Sequence, residues 1–155
     1  MRTISITFEE SGVGATAVLL EDTAPKTCEA IWQMLAEPLV QEGIHAGWAG
    51  REVSIDVPPA NRVFDPTQLP KENLTMYPIP GDLCFGYFPP GYGIGLEEYW
   101  DLALIYGRET RFDFSFGPVP LTLFATINEG LEGIATECER IRIEGVKTIR
   151  VARVE

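Results

Sequence analysis

Residues 3 to 8 read TISITF, in which Ile4, Ile6 and Phe8 alternate with Thr3, Ser5 and Thr7. That is the period-two pattern of a strand with one buried face. A second apolar run, VGATAVLL at 13 to 20, follows the turn-forming EESG, so the opening segment predicts a β-hairpin. The period then changes: Cys28, Ile31, Trp32 and Leu35 recur at helical spacing, with Pro25 placed for a first turn and Pro38 to end the run, which predicts a helix of about three turns. Glu29 suits the positive end of the helix dipole, and Cys28 lies on the apolar stripe as a core residue.

After Gly43 come two strand-like pieces, IHAGW and REVSIDV. In the second, Val53, Ile55 and Val57 point one way and Glu52, Ser54 and Asp56 the other, and Pro58 and Pro59 stop it. Residues 58 to 72 form a polar, proline-punctuated connection, long enough to fold as an ordered flap over one end of the domain. ENLTMYPIPGDLCFGYFPPGYGIG follows, rich in glycine and proline, and predicts short strands joined by tight turns. DLALIYG and VPLTLFATI, at 119 to 127, supply further strands. Asn128 is placed to cap a second helix, with Leu131, Ile134, Ala135, Cys138 and Ile141 as its apolar stripe; Gly130 and Gly133 weaken it, so it depends on packing. KTIRVARV closes the series as a strand. Many antiparallel-compatible strands and two helices favour a sandwich or closed barrel over a doubly wound parallel sheet. No repeat or hinge divides the chain, so residues 1–155 are read as a single domain.

Composition narrows the function classes. The chain of 155 residues is 45% hydrophobic, enough to close one core without disulfides or a structural metal. Its formal net charge of −11, from 23 acidic against 12 basic residues, repels phosphate backbones and anionic lipid. Nucleic acid is therefore not an expected partner, and Arg140, Arg142, Arg150 and Arg153, interspersed with Glu139, Glu144 and Glu155, read as a solvated face. No run is long and apolar enough for a membrane span, and the start lacks the pattern of a secretory signal. Three scattered cysteines fit a reducing compartment, so a cytoplasmic location is expected.

The inventory for catalysis is thin. His45 is the sole histidine and no ligand spacing surrounds it, so neither a metal nor a cofactor is expected. The glycines of GVGA and GYGIG read as turns, and no serine sits in a nucleophile elbow. Glu97 and Glu98, with Asp101, offer either an acid and base pair or a charged surface loop. The segment IHAGWAGREV gathers the most versatile groups: His45 for proton exchange, Trp48 for a flat apolar face, Arg51 for a planar fork of donors. They suit a small ligand; equally, His45 can make one structural hydrogen bond, Trp48 fill the core and Arg51 pair with a carboxylate. From Tyr77 to Phe116 the chain carries 11 of its 16 aromatic residues. Among them Tyr87, Phe88, Tyr92, Tyr99 and Trp100 can cap a core, face a second subunit or line a pocket.

The ordered set TAPKTCEAIWQML, IHAGWAGREVSIDV, ENLTMYPIPGDLCFGYFPP and PLTLFATINEGLEG resembles the cyclophilin-like domain-of-unknown-function family 3830. The resemblance implies a mainly β fold, a closed or nearly closed cyclophilin-like barrel with two helices, and no established activity. True cyclophilins isomerise the bond before proline with an arginine beside an aromatic pocket, and Arg51 is the nearest candidate by order, although AGREV stands where they have Phe-His-Arg. The expected function is therefore binding of a small molecule or short peptide at His45, Trp48, Arg51, Tyr87, Tyr92 and Trp100. A prolyl isomerase and a structural homo-oligomer are the alternatives.

Overall fold

In the computed structural model, which describes residues 1–92 and 95–155, the opening alternation becomes β1 (Thr3–Phe8) and β2 (Gly14–Leu19), paired antiparallel with Ile4 opposite Ala17. α1 (Pro25–Met34) follows, with Cys28, Ile31 and Met34 on its buried stripe. The third strand starts earlier than its residues suggested: β3 runs Leu39–His45, whereas Ala46 to Gly50 form a loop. The Ala46 amide donates to the Glu52 carbonyl and Gly50 takes φ +95°, so this loop turns the chain into β4 (Glu52–Asp56). β5 (Leu74–Thr75), β6 (Asp82–Phe88), β7 (Tyr99–Ile105), β8 (Asp113–Phe114), β9 (Gly117–Pro118) and β10 (Leu121–Glu129) come next. The turn expected at GYGIG falls partly on Gly93 and Ile94, outside the described residues. α2 (Leu131–Glu144) and β11 (Lys147–Val154) complete the chain.

Eight strands close into an antiparallel barrel in the order β2-β1-β11-β3-β4-β7-β6-β10, with β10 returning to pair β2 and β5 added on β10. This is the cyclophilin-like architecture of a closed barrel with two helices. The interior is filled by the inward positions of the strands, among them Ile4, Ile6, Val53, Ile55, Leu102 and Phe124, and both helices add their apolar stripes to it. The predicted cap of the second helix is corrected. β10 continues through Glu129, and the Asn128 side chain accepts from Thr16 across the β2 seam, so Gly130 at φ +88° makes the turn into α2.

Residues 58 to 72 are ordered, with two short 3-10 turns at Pro59–Asn61 and Pro66–Gln68. They brace α1 at both ends. Glu72 accepts from the Thr27 amide at 2.9 Å, near the positive end of the helix, and the buried Asn61 donates to the Met34 and Glu37 carbonyls at 3.1 Å each.

The barrel wall is not solvated everywhere on its outer face. Cys84, Ala103 and Ile105 project outward from β6 and β7, yet they are buried beneath a second apolar cluster with Phe88, Phe112 and Leu121. The β8–β9 hairpin supplies that cover. In RFDFSFG the alternating Phe112, Phe114 and Phe116 point the same way, and their rings stack at 6.4 and 5.4 Å.

Candidate functional site

The outward side of β4 carries Glu52, Ser54 and Asp56, and β7 brings Tyr99 and Asp101 beside them through the pairing of Asp56 with Asp101 and Ser54 with Ala103. Because the hairpin and the 46–49 loop close over this face, Glu52 is 2% exposed and Asp101 1%. Ser54 donates to Asp101 at 2.7 Å, which spends its one proton, so Tyr99 donates to Ser54 at 2.6 Å. Glu52 has no such support: its Oε2 is buried and has no partner among the described residues. Asp56 is served elsewhere, by Arg62 and the Trp100 amide, both at 3.0 Å.

Burial without a counter-cation disfavours the charged form of an acid. It pushes Asp101 up to about 7, against the opposing hydrogen bond from Ser54, with Asp56 adding repulsion. Glu52 is raised well above the ordinary carboxylate range, first by burial and then by the Asp101 charge. The Tyr99 hydroxyl is raised by the same burial and the same neighbour. Two carboxyls thus line one buried face, with Ser54 between them along β4, in a site that favours protonation.

Glu52, Ser54, Tyr99 and Asp101 line a cleft of about 300 Å³ together with Ile44, His45, Trp48, Phe114 and Phe116. Apolar rings around two acids and a hydroxyl relay are the makings of a pocket for a small ligand that donates hydrogen bonds. A larger recess, about 850 Å³, lies between α2 and the 106–109 loop, but it is a shallow charged groove without a buried ionisable pair.

The residues singled out from sequence are dispersed. His45 and Trp48 meet at the cleft, where Trp48 is 69% exposed, so it does not fill the core. Both His45 ring nitrogens are engaged: Nδ1 lies 2.9 Å from the Ala46 carbonyl oxygen and Nε2 2.6 Å from the Tyr106 hydroxyl, which donates to Glu139. Arg51 turns away from the cleft, lies over Gly107 and donates to the Arg108 carbonyl at 3.0 Å. Tyr87 and Tyr92 border a different recess near Pro66 and Pro120; Tyr87 donates to Glu98 there, and Tyr92 packs on Phe88 and Phe116. Trp100 is a core residue, 3% exposed, against Phe64, Phe85 and Tyr87. Asp101 is no part of a surface loop: it lies on β7 and is buried.

Glu52, Ser54 and Tyr99 were not joined into a site from sequence, although REVSIDV placed the first two on one face. The signal for their burial is the FDFSF alternation, a strand-like apolar face about 60 residues further along the chain that needs a partner surface. Among the described residues no group of three or more histidine, cysteine or acidic side chains is arranged to hold a metal ion.

Fold and cleft together define a closed antiparallel barrel with an acid-lined recess on its outer wall. The family model for the protein of unknown function DUF3830 matches residues 6–153, and the chain belongs to that family. Among solved structures it is similar to that of McbB in complex with tryptophan, at 19% identity and a TM-score of 0.67. The match covers 97% of this chain and 44% of the other, so this chain spans less than half the length of McbB, and the likeness is one of fold. No curated protein matches the sequence.

Proposed function

We propose that this protein binds a small molecule, or the amino end of a short peptide, that carries an ammonium group next to an aromatic or apolar portion. The observation that carries the reading is the buried Glu52, whose Oε2 has no partner among the described residues, lining one ring-bearing cleft with Asp101. An ammonium would supply the donors and the charge that these acids lack, and Trp48, Tyr99, Phe114 and Phe116 would take the apolar part and add cation–π attraction. McbB, alike in fold, is itself described in complex with tryptophan, a molecule that joins a ring to an ammonium.

Binding of a cation requires ionised acids, so the free protein must give up protons that Glu52 and Asp101 hold. Affinity for phenethylamine is expected to rise as pH increases from 5.5 to 8, with proton release on binding, because Asp101 titrates near 7. Calorimetry in buffers of different ionisation enthalpy measures both. Glu52→Gln and Asp101→Asn should each weaken binding about 10- to 100-fold. Heat signals identical in wild type and in both variants would remove the reading.

The isomerase alternative gains nothing from the position of Arg51, which faces away from the ring-walled cleft. A homo-oligomer is favoured by one feature, the exposed Ile44, Trp48 and Phe116 at the cleft mouth. Light scattering at micromolar concentration decides that point, a monomer removing it. The three free, buried thiols support the cytoplasmic expectation.

A further inference from the structure

Behind the 45–48 loop lies a second recess of about 310 Å³ that shares His45, Ala46, Gly47 and Trp48 with the acid-lined cleft. Its character is opposite. Arg51, Arg108 and Arg142 line it together with His45, and Glu109 is the one carboxylate among the lining residues. In a chain with 23 acidic and 12 basic residues, Arg2, Arg62, Arg111, Arg140 and Arg142 form ion pairs, whereas among the described residues Arg150 and Arg153 form none and lie outside this recess. Among the described residues Arg51 and Arg108 form none, although they adjoin each other. Glu139, the nearest acid on α2, already accepts from Tyr106 and Arg142.

The loops that carry Arg51 and Arg108 are tied to each other, and Arg51 also donates to the Arg108 carbonyl. The Arg51 carbonyl accepts from the Tyr106 amide at 3.1 Å, and the Arg111 amide donates to the Ala49 carbonyl at 3.0 Å, tying the 46–51 and 107–111 loops into one frame. Thr110 adds a hydrogen bond to the Gly107 carbonyl. Gly107 is a condition of this arrangement, because a Cβ there would collide with the Arg51 side chain. Two cationic side chains carried on a fixed frame, neither in an ion pair among the described residues, form a place where an oxyanion is favoured.

We infer that Arg51 and Arg108, assisted by Arg142, form an oxyanion subsite for a carboxylate or phosphate group, occupied at the same time as the amine cleft across the Trp48 wall. The inference rests on the proposed amine reading only for that simultaneity. The ligand is then bifunctional, or two ligands of opposite charge lie side by side.

The test follows the arginine Nε–Hε resonances by NMR while inorganic phosphate, and separately acetate, is added at constant ionic strength set with sodium chloride. Saturable shifts of Arg51 and Arg108 are expected. Response to both anions indicates a general oxyanion site, and response to phosphate alone a phosphate site. The Arg51→Gln/Arg108→Gln variant, checked for an unchanged melting profile, should lose about tenfold or more in anion affinity while its phenethylamine binding is unchanged. Single Arg108→Gln, at an exposed loop position, repeats the measurement if the double variant melts early. Shifts no larger than those from sodium chloride alone, or phosphate and phenethylamine that exclude each other, overturn the subsite. Absence of phenethylamine binding with a retained phosphate response overturns the amine reading and leaves the oxyanion site standing.

Discussion

Glu52 and Asp101 bind protons more tightly in the folded chain than in the unfolded one, which makes stability depend on pH in a stated direction. Between about pH 4, the ordinary aspartate value, and about 7, the folded Asp101 value, the native state holds the extra proton, so stability falls as pH rises through that window. Glu52 adds to the same slope. Asp56 on β4, Tyr99 on β7, Cys84 on β6 and His45 at the end of β3 surround the pair, and Arg62 spends its charge on Asp56 and Glu98. Melting temperature should therefore drop from pH 5 to pH 8, and Asp101→Asn should flatten the drop; calorimetry in scanning mode checks both. The alternation in REVSIDV made the common face of Glu52, Ser54 and Asp56 legible. Its burial was not, since the cover comes from Phe114 and Phe116, and an isolated strand reads the same whether its polar face meets water or a lid. For Trp48 the sequence left a ligand-facing ring and a core residue both open, and only the 46–50 loop geometry sets its ring at the cleft. At Gly107, replacement by alanine would force Arg51 off its path, at a cost of about 1–3 kcal/mol measured by denaturant unfolding.

Among the elements, the helices show where local pattern suffices and where it does not. α1 matches its apolar spacing closely, but its ends are finished by Glu72 and Asn61, from a connection that pattern alone describes only as polar. Asn61→Ala would leave the Met34 carbonyl at the end of α1 and the Glu37 carbonyl just after it without that buried donor, and about 1–3 kcal/mol of stability should be lost in urea titration. α2 begins two residues later than a capping residue at Asn128 implied. The β10 strand needs Asn128 and Glu129 for its seam with β2, and tertiary pairing outweighs a local cap worth about 1 kcal/mol. Gly130 then makes the reversal at positive φ, where an added Cβ would also press on the Gly14 carbonyl. The hairpin behaves likewise: two-residue strands have little intrinsic stability, so Phe112, fully buried, anchors it. Phe112→Ala should cost about 3–5 kcal/mol and expose the acid pair, seen as a return of the Asp101 titration toward ordinary carboxylate values in NMR.

For the molecule as a whole, the order of two strands, a helix, many short strands, a second helix and a last strand was readable from period changes, and the closed barrel was one of two outcomes it favoured. Closure itself is a long-range fact, since β2 meets β10 across more than a hundred residues and only register and twist decide it. β11, the final strand, sits between β1 and β3, bonded to both. During synthesis the sheet therefore stays a ring short of one stave until Lys147–Val154 has left the ribosome. For that interval β1 and β3 each keep an unpaired edge, the kind of edge that joins other chains.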